Sequence, residues 1–165
     1  MHWSGPVAPP MLERFSEAFE RFEGDERRIV LSLDSPGGFV EHGRQIIKLI
    51  HKQSRKHQID TLIDSGKMCA SMCVPIYLTG FERMAKPQAK FMFHEASIAL
   101  PPEAVRYRSA VITHVTNELF DDDFAPRSVD ARWLADMRRK IKGRDVWLTG
   151  RQLMDQGSGV VDKLL

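Results

Sequence analysis

The stretch Arg28-Ile29-Val30-Leu31-Ser32-Leu33-Asp34-Ser35-Pro36-Gly37-Gly38 decides the fold of this chain. Arg28 to Leu33 is short, branched and apolar, as a buried strand must be, and it stops at a Ser-Pro-Gly-Gly turn. From Val40 to about Ser54 the apolar residues Val40, Ile46, Ile47, Leu49 and Ile50 return at helical spacing. A buried strand that feeds a helix through a tight turn is the unit of an α/β sheet.

The pattern continues on both sides. His2 to Val7 reads as a strand already under way. Pro9-Pro10 opens a helix whose apolar face is Met11, Leu12, Phe15, Ala18, Phe19 and Phe22, ended by Gly24-Asp25. Ile59 to Ile63 alternates like a strand, and the run from Ser71 to Leu78, apolar on nearly every side, reads as a buried helix. Phe91 to Phe93 is a strand that ends at His94. A polar helix follows Pro101-Pro102 to about Phe120, Asp121-Asp122-Asp123 reads as a loop, and Ser128 is placed to cap a helix bearing Val129, Trp133, Met137 and Ile141. Val146-Trp147-Leu148, a short helix capped by Thr149 and closed by Gly157, and a strand from Val160 to Leu164 complete the chain. Strands separated by helices predict an α/β layered sheet with mainly parallel strands. Trp133, Trp147 and the methionines are expected in its core.

At 165 residues and 42% apolar, the chain is long enough for one domain over residues 1–165 and too short for two independent ones. A net charge of +2 from 24 basic and 22 acidic residues, scattered rather than striped, argues against nucleic acid as a partner. The longest apolar stretch, Met68 to Phe81, is broken by Pro75 and Thr79 and falls short of the roughly 18 to 20 residues of a membrane span. Met1 to Pro10 has neither a basic nor an apolar region of export-signal type, so a cytoplasmic location follows for the chain as written and a periplasmic one if its N-terminus is trimmed. Two cysteines four positions apart make neither a disulfide framework nor a four-ligand zinc site.

The chemistry collects elsewhere. Gly66-Lys67-Met68-Cys69-Ala70-Ser71-Met72-Cys73-Val74-Pro75 sets one small hydroxyl, Ser71, at an apolar helix start, where the first-turn N–H groups favour negative charge. The GxSxG nucleophile pattern is absent, since Cys69 and Cys73 stand where its glycines would. Gly37-Gly38 can offer bare backbone N–H groups to an oxyanion. Among the histidines, His2, His51 and His57 sit in polar surroundings and read as solvated, and His42 and His114 as helix-surface or cap residues. His94 differs, because it ends an apolar strand at the sheet edge where α/β sites collect. Asp145, in Gly143-Arg144-Asp145, completes the order Ser, His, Asp; on its own an aspartate in such a turn is more often a cap. Lys67 is a second possible base, and Glu95 could orient or compete with the imidazole. Across one helical turn the Cα atoms of Cys69 and Cys73 are about 6 Å apart, inside the disulfide window but poorly directed, so a disulfide and two packed thiols both remain open.

Taken together, these residues resemble the proteolytic subunit of the Clp protease and its relatives in the clan shared with signal peptide peptidase and the crotonases. The similarity runs from about Gly5 to Leu164. The family's Asn-Ser-Pro-Gly-Gly turn is matched by Asp34 to Gly38, and its Ala-Ser-Met-Gly by Ala70-Ser71-Met72-Cys73. Its Gly-x-x-Arg-x-x-x-Pro stretch, running into Met-Ile-His-Gln, is matched by Gly80, Arg83 and Pro87 and then Met92-Phe93-His94-Glu95. Its Arg-Asp block and Gly-Leu-Val-Asp are matched by Arg144-Asp145 through Thr149 and by Gly159-Val160-Val161-Asp162.

The resemblance implies a repeated β-β-α layered sheet with a helical handle over about residues 96–143, which relatives use for assembly into homo-oligomeric rings. It implies a serine peptidase acting on peptides or proteins without cofactor or metal, with Ser71 as nucleophile, His94 as general base and Asp145 as orienting carboxylate. Gly38 and Met72 N–H groups would form the oxyanion hole. Asp34, Cys73 and Glu95 depart from the family pattern. The axial pore-loop segment has no counterpart, so docking to an ATPase is not expected, and the cysteine-flanked serine looks more like the Clp-like proteins that some bacteria export. Two rival readings accompany this one: a catalytically silent binding or assembly module, and a crotonase-type acyl-CoA enzyme.

Overall fold

The computed structural model describes residues 1–22, 28–97, 108–124 and 127–165. The elements run β1 (His2–Ser4), α1 (Met11–Arg21), β2 (Arg28–Asp34), α2 (Val40–Gln53), β3 (Gln58–Ile63), β4 (Met68–Ala70) and α3 (Cys73–Tyr77). They continue β5 (Arg83–Ala85), β6 (Lys90–Phe93), α4 (Arg108–Leu119), α5 (Ala131–Lys140), β7 (Val146–Thr149), α6 (Gly150–Asp155) and β8 (Lys163–Leu164). The expected end of the first helix at Gly24-Asp25 and the start of the polar helix after Pro101-Pro102 lie outside the described residues.

Two sheets form the frame. The larger is wholly parallel in the order β1-β2-β3-β5-β8, and the smaller is β4-β6-β7, with β4 parallel and β7 antiparallel to β6. The mixed α/β layering with mainly parallel strands is the one expected. Helices α1 and α2 turn Met11, Phe15, Phe19, Ile46, Ile47 and Ile50 onto the larger sheet, where they join one buried cluster that runs from Val7 to Val161. Each such side chain removed from water contributes about 1.5–3 kcal/mol.

Several elements differ from expectation. β4 and β5 are strands of three residues each, too short to show a period, and β4 occupies what reads as loop and helix start. The buried helix begins at Cys73, not at Ser71. Asp121 to Asp123 belong to a π-helical turn, Phe120–Phe124, in which the Phe120 and Phe124 rings stack 4.8 Å apart while Asp123 accepts from Arg44. α5 is capped by Asp130, whose Oδ1 accepts from Trp133 N; Ser128 instead adopts a left-handed turn with φ 63°. Trp147 is 48% exposed, because on β7 its neighbours Val146 and Leu148 take the face that packs on the core. The last strand is confined to Lys163–Leu164.

Arg83 pins the C-terminal segment to the larger sheet. It is 7% exposed, its Nε and Nη2 donate to the two oxygens of Asp162 at 2.8 and 2.5 Å, and Nη1 donates to the Arg127 carbonyl. Burial would push the Asp162 carboxyl up, but the guanidinium and the Arg83 N–H together hold it below the usual carboxylate range. Breaking a pair of this kind strands the remaining charge, so Asp162→Ala is expected to cost about 3 kcal/mol of unfolding free energy by denaturant titration. A carboxyl with a depressed folded-state value stabilises above its unfolded value of about 3.9 and loses that contribution as pH falls through the folded value. Unfolding titrations from pH 6 to pH 2 should therefore show stability falling below about pH 4, and Asp162→Asn should flatten that slope.

Candidate active site

The site is assembled by the ends of strands. Ala70 of β4 pairs with Met92 of β6, and Ser71 N, one residue on, donates to the Met92 carbonyl at 2.9 Å. Across β6 the antiparallel register pairs Phe93 with Val146, which sets His94 opposite Asp145 one step beyond the ladder. Residues 71, 94 and 145 thus share one rim of the smaller sheet although they lie far apart in sequence.

Ser71 Oγ and His94 Nε2 are 2.7 Å apart. With the ring proton on Nδ1, the hydroxyl donates to Nε2, the arrangement an activated alcohol requires. Ser71 has φ 53°, a left-handed backbone that costs a residue with a Cβ about 1–2 kcal/mol. The turn is therefore a sharp strand-turn-helix of the kind associated with GxSxG, built without its glycines. Cys69 and Cys73, on either side, are joined by a disulfide with their Cα atoms 5.2 Å apart. The bond is possible because Cys69 lies in a strand and the chain reverses at Ser71; the helical-turn geometry assumed from sequence does not apply.

The glycine turn comes over Ser71 because the end of β2 is stitched to β4. Ser35 N donates to the Met68 carbonyl, Ala70 N donates to the Ser35 carbonyl, and Asp34 accepts from Met68 N and Lys67 Nζ. Burial would push the Asp34 carboxyl up, yet Lys67, the Met68 N–H and the Ser4 hydroxyl hold it below the usual carboxylate range. Lys67 is thereby occupied with Asp34 at 3.0 Å. Gly37 has φ 89°, and a Cβ there would lie 2.6 Å from both the Ala70 carbonyl oxygen and Ser71 Cβ, so only glycine fits against the serine. Neither Gly38 N nor Met72 N donates to an acceptor among the described residues.

A cavity of about 430 Å³ opens beside Ser71 and His94. Its walls are chiefly apolar and include Val40, Met72 and Phe93 together with Val115 and Leu119 of α4 and Phe120. Thr116, the one buried residue of α4, accepts from Ala96 N through Oγ1 and so ties the segment after His94 to that helix. Asp145 is exposed and lines a smaller depression of about 220 Å³ together with His94 and Glu95. Among the described residues no hydrogen bond joins the Asp145 carboxylate to the His94 ring. Glu95 instead accepts from Gly143 N at 2.8 Å and ties the turn before Asp145 to the His94 segment. His51 Nε2 meets Arg127 Nη1, so it is not merely solvated, and burial with that neighbouring charge holds its value down. No group of His, Cys, Asp and Glu among the described residues is arranged to hold a metal ion.

Gly43, in the first turn of α2, was not singled out by motif. A Cβ there would fall 2.4 Å from Met72 Cγ and 2.6 Å from its Cε, so the missing side chain makes room for Met72. A glycine inside an otherwise regular amphipathic helix was the available signal, since it costs about 1 kcal/mol relative to alanine.

Residues 19–165 match the family described as Clp protease. With that match over most of its length, the chain belongs to the Clp protease family and is, at the level of the family, a Clp-like peptidase. No curated protein matches the chain. No helix among the described residues is long and apolar enough to cross a membrane.

The Gly43 contact yields a test independent of activity. Alanine improves helix propensity by about 1 kcal/mol, but overpacking against Met72 costs about 1–3 kcal/mol. Gly43→Ala is therefore expected to be net destabilising by about 1 kcal/mol in denaturant unfolding, and a stabilised variant would show that Met72 is not held by this gap.

Proposed function

We propose that this chain is a serine peptidase of the Clp type, with His94 as general base for Ser71. The observation that carries the reading is the 2.7 Å approach of Ser71 Oγ to His94 Nε2 on a left-handed turn beside two unengaged N–H groups. His94 takes the hydroxyl proton as Oγ attacks a peptide carbonyl, and the resulting oxyanion is received by Gly38 N and Met72 N. The tetrahedral intermediate collapses as His94 returns the proton to the leaving amine. The acyl-enzyme that remains is opened by water, again with His94 as base. Asp145 accepts a hydrogen bond from His94 Nδ1–H once substrate closes the depression between them; catalytic hydrogen bonds often tighten only in the loaded enzyme. No cofactor enters this scheme.

The apolar cavity beside Ser71 supports a preference for an apolar side chain on the acyl side of the cleaved bond. The handle from α4 through α5 is the segment relatives use in assembly, and we assign to it self-association into a homo-oligomer. A second reading, a silent Clp-like binding or assembly module, draws on one observation: the gap between Asp145 and His94.

Ser71→Ala and His94→Ala should each lower kcat on a fluorogenic peptide by at least about 1000-fold with the circular dichroism spectrum unchanged. Undiminished turnover in Ser71→Ala would remove the mechanism, and no turnover in the wild-type protein would favour the module. Among peptides differing at the acyl-side residue, leucine, methionine and phenylalanine should give kcat/KM at least about tenfold above aspartate or lysine. Light scattering should return a multiple of the monomer mass.

A further inference from the structure

In a strand-turn-helix nucleophile turn, the residues two before and two after the nucleophile are drawn close together, and glycines commonly stand there. Here those positions are Cys69 and Cys73, and their closeness is used to form a covalent bond. We propose that the Cys69–Cys73 bridge is a positioning element of the active site, holding Ser71 in its left-handed conformation and so keeping Oγ on His94. The inference rests on the reading of Ser71 as nucleophile.

The bridge is anchored at both ends. Cys69 is held in β4 by its pairing with Phe91 and by a further bridge to Ser35, and Cys73 is the first residue of α3. Return of Ser71 to a negative φ re-aims the chain between these anchors, which the sulfur link opposes. Ser71 is also held by its N–H bond to the Met92 carbonyl and the Val74 N–H bond to its own carbonyl, with the His94 contact at Oγ and the close approach of Gly37 beside them. Two such bonds contribute about 1 kcal/mol each, close to the 1–2 kcal/mol cost of the left-handed backbone. The backbone bonds alone leave little margin for the productive turn, and the bridge adds a covalent restraint across the turn itself.

Both sulfurs lie in residues that are 0% and 1% exposed, so reductant reaches them only when the turn opens. Reduction breaks the S–S bond with two electrons and two protons from a dithiol, which closes to its own disulfide and leaves Cys69 and Cys73 as thiols. The enzyme is then most active where disulfides persist.

The test compares oxidised wild type, wild type reduced with dithiothreitol in mild denaturant and refolded under reductant, and the paired variant Cys69→Ala with Cys73→Ala. Each is assayed well below its melting midpoint for the rate of fluorophosphonate labelling at Ser71 and for kcat and KM on an apolar fluorogenic peptide. Labelling rate and kcat are expected to fall about 10- to 100-fold in the reduced and variant proteins, with KM changed less than about twofold. Reoxidation should restore the wild type and leave the variant unchanged. Should the variant fail to fold, the reduced and reoxidised wild type give the same readout. A lower melting temperature with unchanged labelling rate and kcat would make the bridge a structural staple and overturn the inference. An oxidised wild type that does not label at Ser71 is a separate result, which removes the nucleophile reading and the inference with it.

Discussion

β6 is hydrogen-bonded on both sides, parallel to β4 and antiparallel to β7, and the rest of the site depends on that placement. A parallel neighbour delivers its C-terminal end to the rim where β6 also ends, and an antiparallel neighbour delivers its N-terminal end there. Residues just after β4, just after β6 and just before β7 are therefore brought to one rim by backbone register alone. A slip of one residue in either ladder would turn every side chain of that strand to the opposite face. Ser71 would then lose its bond to Met92, and His94 would no longer stand opposite Asp145.

Register alone does not aim a hydroxyl. Ser71 reaches His94 by a backbone conformation unfavourable to any residue with a Cβ, and such strain persists where surrounding structure over-determines it. Here the surroundings are specific: Gly37 lies against the serine where a Cβ would collide, Ser35 stitches β2 to β4, and Asp34 draws in Lys67 and Met68 N. The larger sheet thus acts on the smaller one through the turn that ends β2, and the two sheets share responsibility for one side chain.

Long elements were legible because period and burial agree in them. Phe15 and Phe19 at helical spacing pack where the pattern places them. The strand from Arg28 forms as read but buries only Ile29, Leu31 and Leu33 on one face, leaving Val30 36% exposed because its other face is not fully covered. β4 and β5 were not legible, because three residues display no period and what makes them strands is pairing to partners distant in sequence. Ser71 and His94 could be named from motif, and the 2.7 Å contact follows the register. The left-handed turn was hidden by its cysteines, since glycine, the usual sign of such a bend, is missing. Trp147 read as core because composition cannot tell which face of an outer strand is covered. Gly43 carried its signal openly, but its reason, the side chain of Met72 passing across the helix, exists in space and not in any local pattern.

The account stands on Ser71 being the atom that attacks and on Gly38 and Met72 receiving the charge. A crystal structure of the oxidised protein reacted with a peptidyl phosphonate carrying an apolar residue tests both at once. Phosphorus bonded to Ser71 Oγ, its charged oxygen within about 2.7–3.1 Å of Gly38 N and Met72 N, and the apolar side chain in the cavity lined by α4 are the predicted result. Phosphorus on another residue, or an oxygen turned away from both N–H groups, would contradict it.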